Sequence, residues 1–175
     1  WSTSLLNKTN LNTNYLNNIG TTWSNLIEDA TWKVSGNSTS SVTPSEMYTA
    51  EITNATKTYG PSDGTSKIGL VYASDYGFAA SPSAWTSTLY NYNGNDANGT
   101  SIKTINWMYM GYYDWTISPY SSNSTNVFIL SNGGFLYDSN VITGYGSRPV
   151  MYLKASVLYA GESGTKDSPI TLVVW

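Results

Sequence analysis

The chain has 175 residues, enough for one well-packed domain and too few for two of ordinary size, so we expect a single domain over residues 1–175. Only 11% of the residues are charged and the formal net charge is −3, which excludes the basic surface that nucleic acids and anionic membranes require. The chain has no His and no Cys, and therefore lacks imidazole bases, thiol nucleophiles, disulfides and the usual transition-metal ligands.

These absences lead us to expect no enzymatic activity, no metal and no cofactor. No stretch approaches the ~18 consecutive apolar residues of a membrane span, so we also expect no direct membrane insertion in this segment. A Cys-free chain rich in Ser, Thr and Asn is typical of exported proteins of Gram-positive bacteria. The composition therefore predicts an extracellular location, either secreted or attached to the cell surface.

The first part of the chain gives weak signals for secondary structure. Residues 1–22 show no clear period of 2 or 3.6 and are interpreted as an irregular N-terminal segment with at most a short helix. Thr22 could cap a helix over residues 23–30, whose apolar positions have helical spacing. Residues 31–34 alternate like a strand, and residues 46–52 are either a strand or a helical turn.

The middle of the chain contains one strong strand signal. A turn pattern at residues 61–64 precedes the β-rich residues 67–74, which are predicted to form a central strand. Residues 91–99 form a long polar loop with Asp96 among several Asn. This loop lacks the Gly and Glu positions of an EF-hand, so it does not predict a metal site.

The second half of the chain is rich in β-forming residues. Residues 107–115 carry five aromatic side chains and are predicted to be a strand that residues 116–119 complete. Alternation along this strand would place Tyr109 and Tyr113 on one face and Tyr112 on the other. Residues 126–130 and 135–137 form the clearest hairpin, and residues 147–153 and 169–175 give further strands. The sum predicts an α+β, mostly β fold of short antiparallel strands, long loops and one or two short helices.

The aromatic and Asn-rich residues after Trp107 are the candidate ligand-binding residues. Tyr and Trp offer rigid contact area, and neighbouring Asn, Asp and Ser supply adaptable hydrogen bonds. About half of the aromatic side chains should be core, and the alternative is that the remainder are polar surface loops without a ligand. The candidates are Tyr109, Tyr112, Tyr113, Asp114, Tyr120, Asn123, Asn126, Tyr137, Asp138, Asn140 and Tyr145.

Two residues are predicted to have a structural role. Arg148 is the only arginine and precedes Pro149 in an otherwise apolar strand, where a guanidinium most often pairs with a carboxylate and with backbone carbonyls. Asp75, after the predicted central strand, is the expected partner. The carboxylates nearest to aromatic segments, Asp75, Asp114 and Asp138, also leave open a glycosidase, which would need two of them about 5 to 9 Å apart.

Four segments, residues 68–80, 115–119, 134–141 and 146–153, together resemble an uncharacterised domain family of Firmicutes surface proteins. That family is similar to a distant branch of the C-type-lectin-like fold, shared with formylglycine-generating enzymes and with the variable proteins of diversity-generating retroelements. The resemblance implies a C-type-lectin-like fold. It does not imply oxidase activity or calcium-mediated sugar binding, because the cysteines and the Pro-containing calcium motifs of those relatives are absent. In the retroelement proteins the diversified positions lie near the C-terminus, and the density of Asn, Tyr, Ser and Asp over residues 106–145 is compatible with such diversification.

We therefore expect a non-catalytic ligand-binding or adhesion domain of a bacterial surface protein, whose partner is a glycan or protein on another cell or surface. The first alternative is the globular head of a pilin-like filament subunit, in which the aromatic residues pack against identical subunits. The second is a carboxylate-dependent glycosidase.

Overall fold

A computed structural model describes residues 1–55, 63–165 and 167–174. It shows an α+β protein in which helices cover 28% and strands 29% of the chain. The α+β class agrees with the expectation, but strands do not outweigh helices as a mostly β fold would require. The helical segments are α1 (Leu6–Tyr15, π-type), α2 (Leu16–Ser24), α3 (Pro44–Tyr48), α4 (Thr49–Thr53, π-type), α5 (Ala73–Phe78), α6 (Pro82–Ala84, 3-10), α7 (Leu89–Asn91, 3-10) and α8 (Ile102–Ile105). The strands are β1 (Ala30–Lys33), β2 (Asp63–Ser66), β3 (Ile68–Leu70), β4 (Asp114–Pro119), β5 (Asn126–Leu130), β6 (Leu136–Asn140), β7 (Gly146–Ser147), β8 (Pro149–Met151), β9 (Val157–Gly161) and β10 (Thr171–Val174).

The N-terminal segment is helical, which corrects two predictions. Residues 1–22 are not irregular, because α1 and α2 occupy most of them, and residues 23–30 do not form a helix, because α2 ends at Ser24. The side chain of Asn12 pairs with β3 like a neighbouring strand, accepting from Ile68 N–H at 2.9 Å and donating to Ile68 O at 2.9 Å. A π-type helix has wider turns than an α-helix, so its buried positions do not follow the 3.6-residue period.

Helix α3 is specified by its first residues. Thr43 accepts a hydrogen bond from Glu46 N–H, and the Glu46 carboxylate accepts from Thr43 N–H at 2.8 Å, which together form a capping box. Pro44 occupies the first turn, where its missing N–H is not needed. Residues 46–52 are therefore helical rather than a strand.

A four-stranded sheet lies at the centre of the molecule. Its order is β6-β5-β4-β7, with β4 antiparallel to β5 and parallel to β7. Side chains alternate across the sheet, and each face contributes to a separate hydrophobic core. Core A contains Met47, Val71, Ala73, Tyr76, Ala80, Ala84, Leu89, Tyr92, Ile102, Phe128, Leu130 and Leu136. Core B contains Leu11, Ile27, Trp32, Val34, Ile68, Leu70, Tyr72, Trp115, Ile117 and Ile129.

Three two-stranded sheets complete the described structure: β1 with β2, β3 with β8, and β9 with β10. The predicted hairpin is confirmed as β5 and β6, and residues 31–34 and 169–175 largely coincide with β1 and β10. The first two residues of the turn predicted at residues 61–64 lie outside the described residues. The last residue of the strand predicted at residues 169–175 also lies outside them. The predicted strand over residues 67–74 is shorter, because α5 begins at Ala73. Within the described part of the chain, no helix has the length and apolar character needed to cross a membrane.

Candidate functional site

The aromatic segment before β4 is a series of turns and not the predicted strand. The buried Asn106 explains this change, since its Nδ2 donates to Tyr76 O at 2.9 Å and its Oδ1 accepts from Met108 N–H at 3.0 Å. Gly111 continues the turn with a φ of +74°, which favours glycine. Residues 107–113 therefore do not alternate between two faces, and the predicted assignment of the tyrosines to faces is wrong.

The turns leave a cleft next to the start of β4, with a volume of about 500 Å³. Tyr113 and Tyr145 stack in it with ring centroids 5.1 Å apart and an interplanar angle of 24°. Trp115 supports Tyr145 from core B, with centroids 5.2 Å apart. Tyr112 is 71% exposed and Met110 is 60% exposed at the rim. The cleft thus combines a supported aromatic pair with apolar side chains that are open to solvent.

An ion pair lies beside this aromatic pair and lines the same cleft. Arg148 Nε lies 3.0 Å from Asp114 Oδ2 without forming an aligned hydrogen bond, and Arg148 Nη1 donates to Met108 O at 2.8 Å. The Asp114 side chain is nearly buried, whereas that of Arg148 is partly exposed. A Cβ at Gly146 would lie 2.6 Å from Asp114 Oδ1, so the carboxylate needs a glycine at this position.

The predicted partner of Arg148 was wrong. The parallel pairing of β4 with β7 places Asp114 opposite Gly146, two residues before Arg148, and this register brings Asp114 to the guanidinium. Asp75 instead lies in the first turn of α5, where its carboxylate accepts from Tyr72 N–H at 3.4 Å. Burial raises the pKa of Asp75 above its ordinary value.

Three of the predicted binding residues, Asn123, Asn126 and Asn140, lie at the opposite end of the sheet, and Asp138 lies on β6 between that end and Asp114. Asn126 Nδ2 donates to Asp138 Oδ2 at 2.7 Å, and Asn140 Nδ2 donates to Thr125 Oγ1 at 3.3 Å. Asn123 Oδ1 accepts from Thr125 N–H at 3.0 Å. In the sheet register Asn126 pairs with Asn140, whereas Asp114 pairs with Leu130 four residues further along β5. The rise along a strand separates Asn126 and Asn140 from Asp114 by roughly 13 Å, so they do not form one site with it.

The three remaining tyrosines also lie apart from the stacked pair. Tyr109 packs against core A, and its hydroxyl donates to Asn132 O at 2.8 Å. Tyr120 also packs against core A, with its ring edge-to-face on Phe128. Tyr137 is 50% exposed on β6 and does not line the cleft. The structure therefore brings together only Tyr112, Tyr113, Asp114 and Tyr145 from the predicted set, and adds Arg148.

Asp114 and Asp138 do not have the spacing of a glycosidase pair. Strand spacing and register put the Cα atoms of Asp114 and Asp138 about 12 Å apart, and both carboxylates already have partners. In the polar loop, Asp96 accepts from Ser83 Oγ and from Thr100 N–H at 2.8 Å. The hydrogen bond from Ser83 lowers the pKa of Asp96. Across the described ranges, no three His, Cys, Asp or Glu side chains form a group that could hold a metal ion.

The sequence analysis missed a fully buried carboxylate, Glu51 in α4. It accepts from Ala73 N–H at 3.1 Å and from Ser74 N–H at 3.2 Å at the start of α5, and from Ser118 Oγ in β4. Burial raises the pKa of Glu51 to about 7. Met110 and Gly146 of the cleft were also missed. No sequence signal marks Glu51, because its partners are 22 to 67 residues away.

Comparison of the chain with protein-family models, with curated proteins and with solved structures finds no match.

Proposed function

We propose that this chain is a ligand-binding or adhesion domain of a secreted or cell-surface bacterial protein, and that it binds through the cleft at the start of β4. The observation that carries the proposal is the stacked pair Tyr113 and Tyr145, open to solvent and adjacent to the ion pair of Asp114 and Arg148. The pair is supported from the core by Trp115, so the rings lose little freedom when a ligand binds.

The chemistry of the cleft suits a glycan or a polar protein segment. Aromatic rings pack against the apolar faces of sugars and against peptide side chains, and Asp and Arg supply hydrogen-bond acceptors and donors for hydroxyls or amides. The charges of Asp114 and Arg148 offset each other, which favours a ligand without a strong net charge. The binding is proposed to be non-catalytic, since the one carboxylate in the cleft is held by the guanidinium.

The proposal includes a C-type-lectin-like fold. The four segments that carry the family resemblance are neighbours in space, which supports it. β3 pairs with β8, β4 pairs with β7, and β6 joins β4 through β5. An experimental structure that superposes on the C-type-lectin-like core through these strands is the expected result, and a different strand connectivity would remove the family assignment.

The proposed function is tested by binding of the purified chain to arrays of glycans and of cell-surface proteins. Replacement of Tyr113 by Ala should weaken a specific signal at least about tenfold, because the variant loses a central aromatic contact. Tyr137→Ala is the matched control, since Tyr137 is comparably exposed but lies outside the cleft. Absence of any specific signal, or equal losses in both variants, would contradict the proposal.

A filament subunit is the second candidate, because the hairpin of β9 and β10 exposes apolar side chains without joining either core. Tyr159 and Leu172 are paired across the hairpin, and Val174 lies on the same face. Isolated two-stranded sheets are only marginally stable in water, so a covering subunit would stabilise this one. Electron microscopy and sedimentation of the chain should then show assemblies that Leu172→Lys disperses, and a monomer at high concentration would count against the filament.

A further inference from the structure

A second cavity lies on the core B side of the central sheet, away from the aromatic cleft. Its volume is about 410 Å³, within the roughly 300 to 1,000 Å³ usual for small-molecule sites. The sheet wall is formed by Trp115 and Ile117 of β4 and by Val127 of β5. The facing wall is formed by Trp1, Ser4 and Leu5, which precede α1, and by Leu6 at its start. The complete lining is Trp1, Ser4, Leu5, Leu6, Val34, Leu70, Trp115, Thr116, Ile117, Pro119, Val127 and Val141.

The lining contains no ionisable side chain, and its two hydroxyl groups already have partners. Ser4 Oγ accepts from Asn7 N–H at 3.1 Å, and Thr116 Oγ1 donates to Phe128 O at 2.7 Å. Trp1 Nε1 is buried and has no acceptor, which leaves one donor for a ligand oxygen. A charged ligand would lose its hydration in this cavity without gaining a charged side chain as a partner, whereas an apolar ligand has no such hydration to lose. The α-amino group of Trp1 is partly buried, and this burial lowers its pKa and so disfavours its charged form.

The rim of the cavity carries apolar side chains that a ligand would shield from water. Leu5 is 77% exposed and Val141 is 54% exposed, although both line the cavity. Covering apolar surface of this kind favours binding, because it removes that surface from water. Side chains that are exposed at the rim and buried at the floor are the arrangement expected of a site whose mouth opens to solvent.

We propose that this cavity binds an uncharged apolar small molecule, an alkyl chain or a compact aromatic skeleton with at most one hydrogen-bond acceptor. The site is distinct from the aromatic cleft, but Trp115 contributes to both: one part of its side chain lines the cavity, and its ring contacts Tyr145 in the cleft. The proposal does not depend on the function proposed for the cleft.

The test is a titration of the full chain with N-phenyl-1-naphthylamine, an uncharged dye whose fluorescence rises in apolar surroundings. Saturable binding of one dye per chain is expected, with energy transfer from tryptophan because Trp115 lines the site. A dodecanol competitor should displace the dye, whereas sodium dodecyl sulfate below its micellar concentration should displace it more weakly at equal concentration. The competition is run at pH 9, where the α-amino group of Trp1, whose pKa burial lowers from its ordinary 8.0, is uncharged and no lining side chain supplies a cation for the sulfate.

The matched variants are Val141→Trp and Ile142→Trp. Val141 lies at the rim, so an indole at this position would fill the mouth of the cavity, whereas Ile142 is 90% exposed and lies outside the lining. We expect Val141→Trp to weaken dye binding at least about tenfold by steric exclusion and Ile142→Trp to leave it unchanged. Both positions are exposed, so neither variant should disturb folding, which circular dichroism checks. No saturable binding, or equal behaviour of the two variants, would overturn the proposal.

Discussion

Glu51 makes the stability of this protein depend on pH in a direction opposite to that of most carboxylates. Its side chain is fully buried, and burial raises its pKa from an ordinary value of 4.5 to about 7. A carboxyl group whose pKa is higher in the folded state binds its proton more tightly there. Its contribution to stability is therefore fully present below pH 4.5 and is lost as the pH rises through 7.

The size of the effect follows from the difference between the two pKa values. A rise from 4.5 to about 7 corresponds to about 3 kcal/mol of unfolding free energy. Solvent does not screen this effect, because the side chain is completely buried. The Ser118 hydroxyl and the Ser74 N–H donate to the carboxylate and limit the rise in its pKa, since they favour its charged form.

The assay is urea unfolding of the wild-type chain and of Glu51→Gln between pH 4.5 and pH 8. The Gln side chain does not titrate, so the difference between the two unfolding free energies isolates Glu51 from the other carboxylates. The amide N–H₂ of Gln cannot accept hydrogen bonds, so at least one donor from α5 or Ser118 would lose its acceptor. The variant should therefore be less stable than the wild type by about 1–3 kcal/mol at low pH. The wild-type advantage should then fall by about 3 kcal/mol as the pH rises to 8. A difference that stays constant, or one that grows with pH, would show that the buried group remains ionised and would refute the reasoning.

Two further predictions concern packing and the ion pair. Gly36→Ala should lower the unfolding free energy by about 3 kcal/mol or more, because the new Cβ would lie 2.0 Å from the backbone O of Pro119. Thermal unfolding measures this loss. Gly144→Ala is the control, because a Cβ at Gly144 would meet no atom within 4 Å. Asp114→Asn should destabilise the fold by about 1–3 kcal/mol, since it leaves a partly buried guanidinium without its carboxylate. Adding Arg148→Met to this variant should recover much of the lost stability, because it removes that guanidinium. Additive losses in this double-mutant cycle would contradict a coupled pair.

Local patterns predicted the elements whose signal lies within a few residues. The hairpin of β5 and β6 follows from two β-rich runs around an Asn-Gly-Gly turn, and it is confirmed. The strand at residues 31–34 is close to β1, because its alternation matches one buried face. The aromatic content of residues 107–115 identified the region of the cleft, although not its backbone conformation.

Other features depended on contacts between distant residues. The side chain of Asn12 ties α1 to β3, 56 residues away, and nothing near Asn12 in the sequence indicates this contact. Asn106 turns the aromatic segment by bonding to Tyr76 O, 30 residues earlier. In both cases a polar side chain satisfies buried backbone groups, and such partners are set by the packing of the chain and not by local propensity.

Composition alone established the chemical character of the protein: a weakly charged, aromatic and Asn-rich chain without His or Cys, whose single arginine was expected to pair with a carboxylate. Tertiary structure decided which carboxylate this is, because the parallel register of β4 and β7 brings Asp114, and not Asp75, to Arg148. It also decided which aromatic residues meet, since Tyr113 and Tyr145 stack although 32 residues separate them in the sequence. Composition limits the available interactions, and the register between distant strands selects among them.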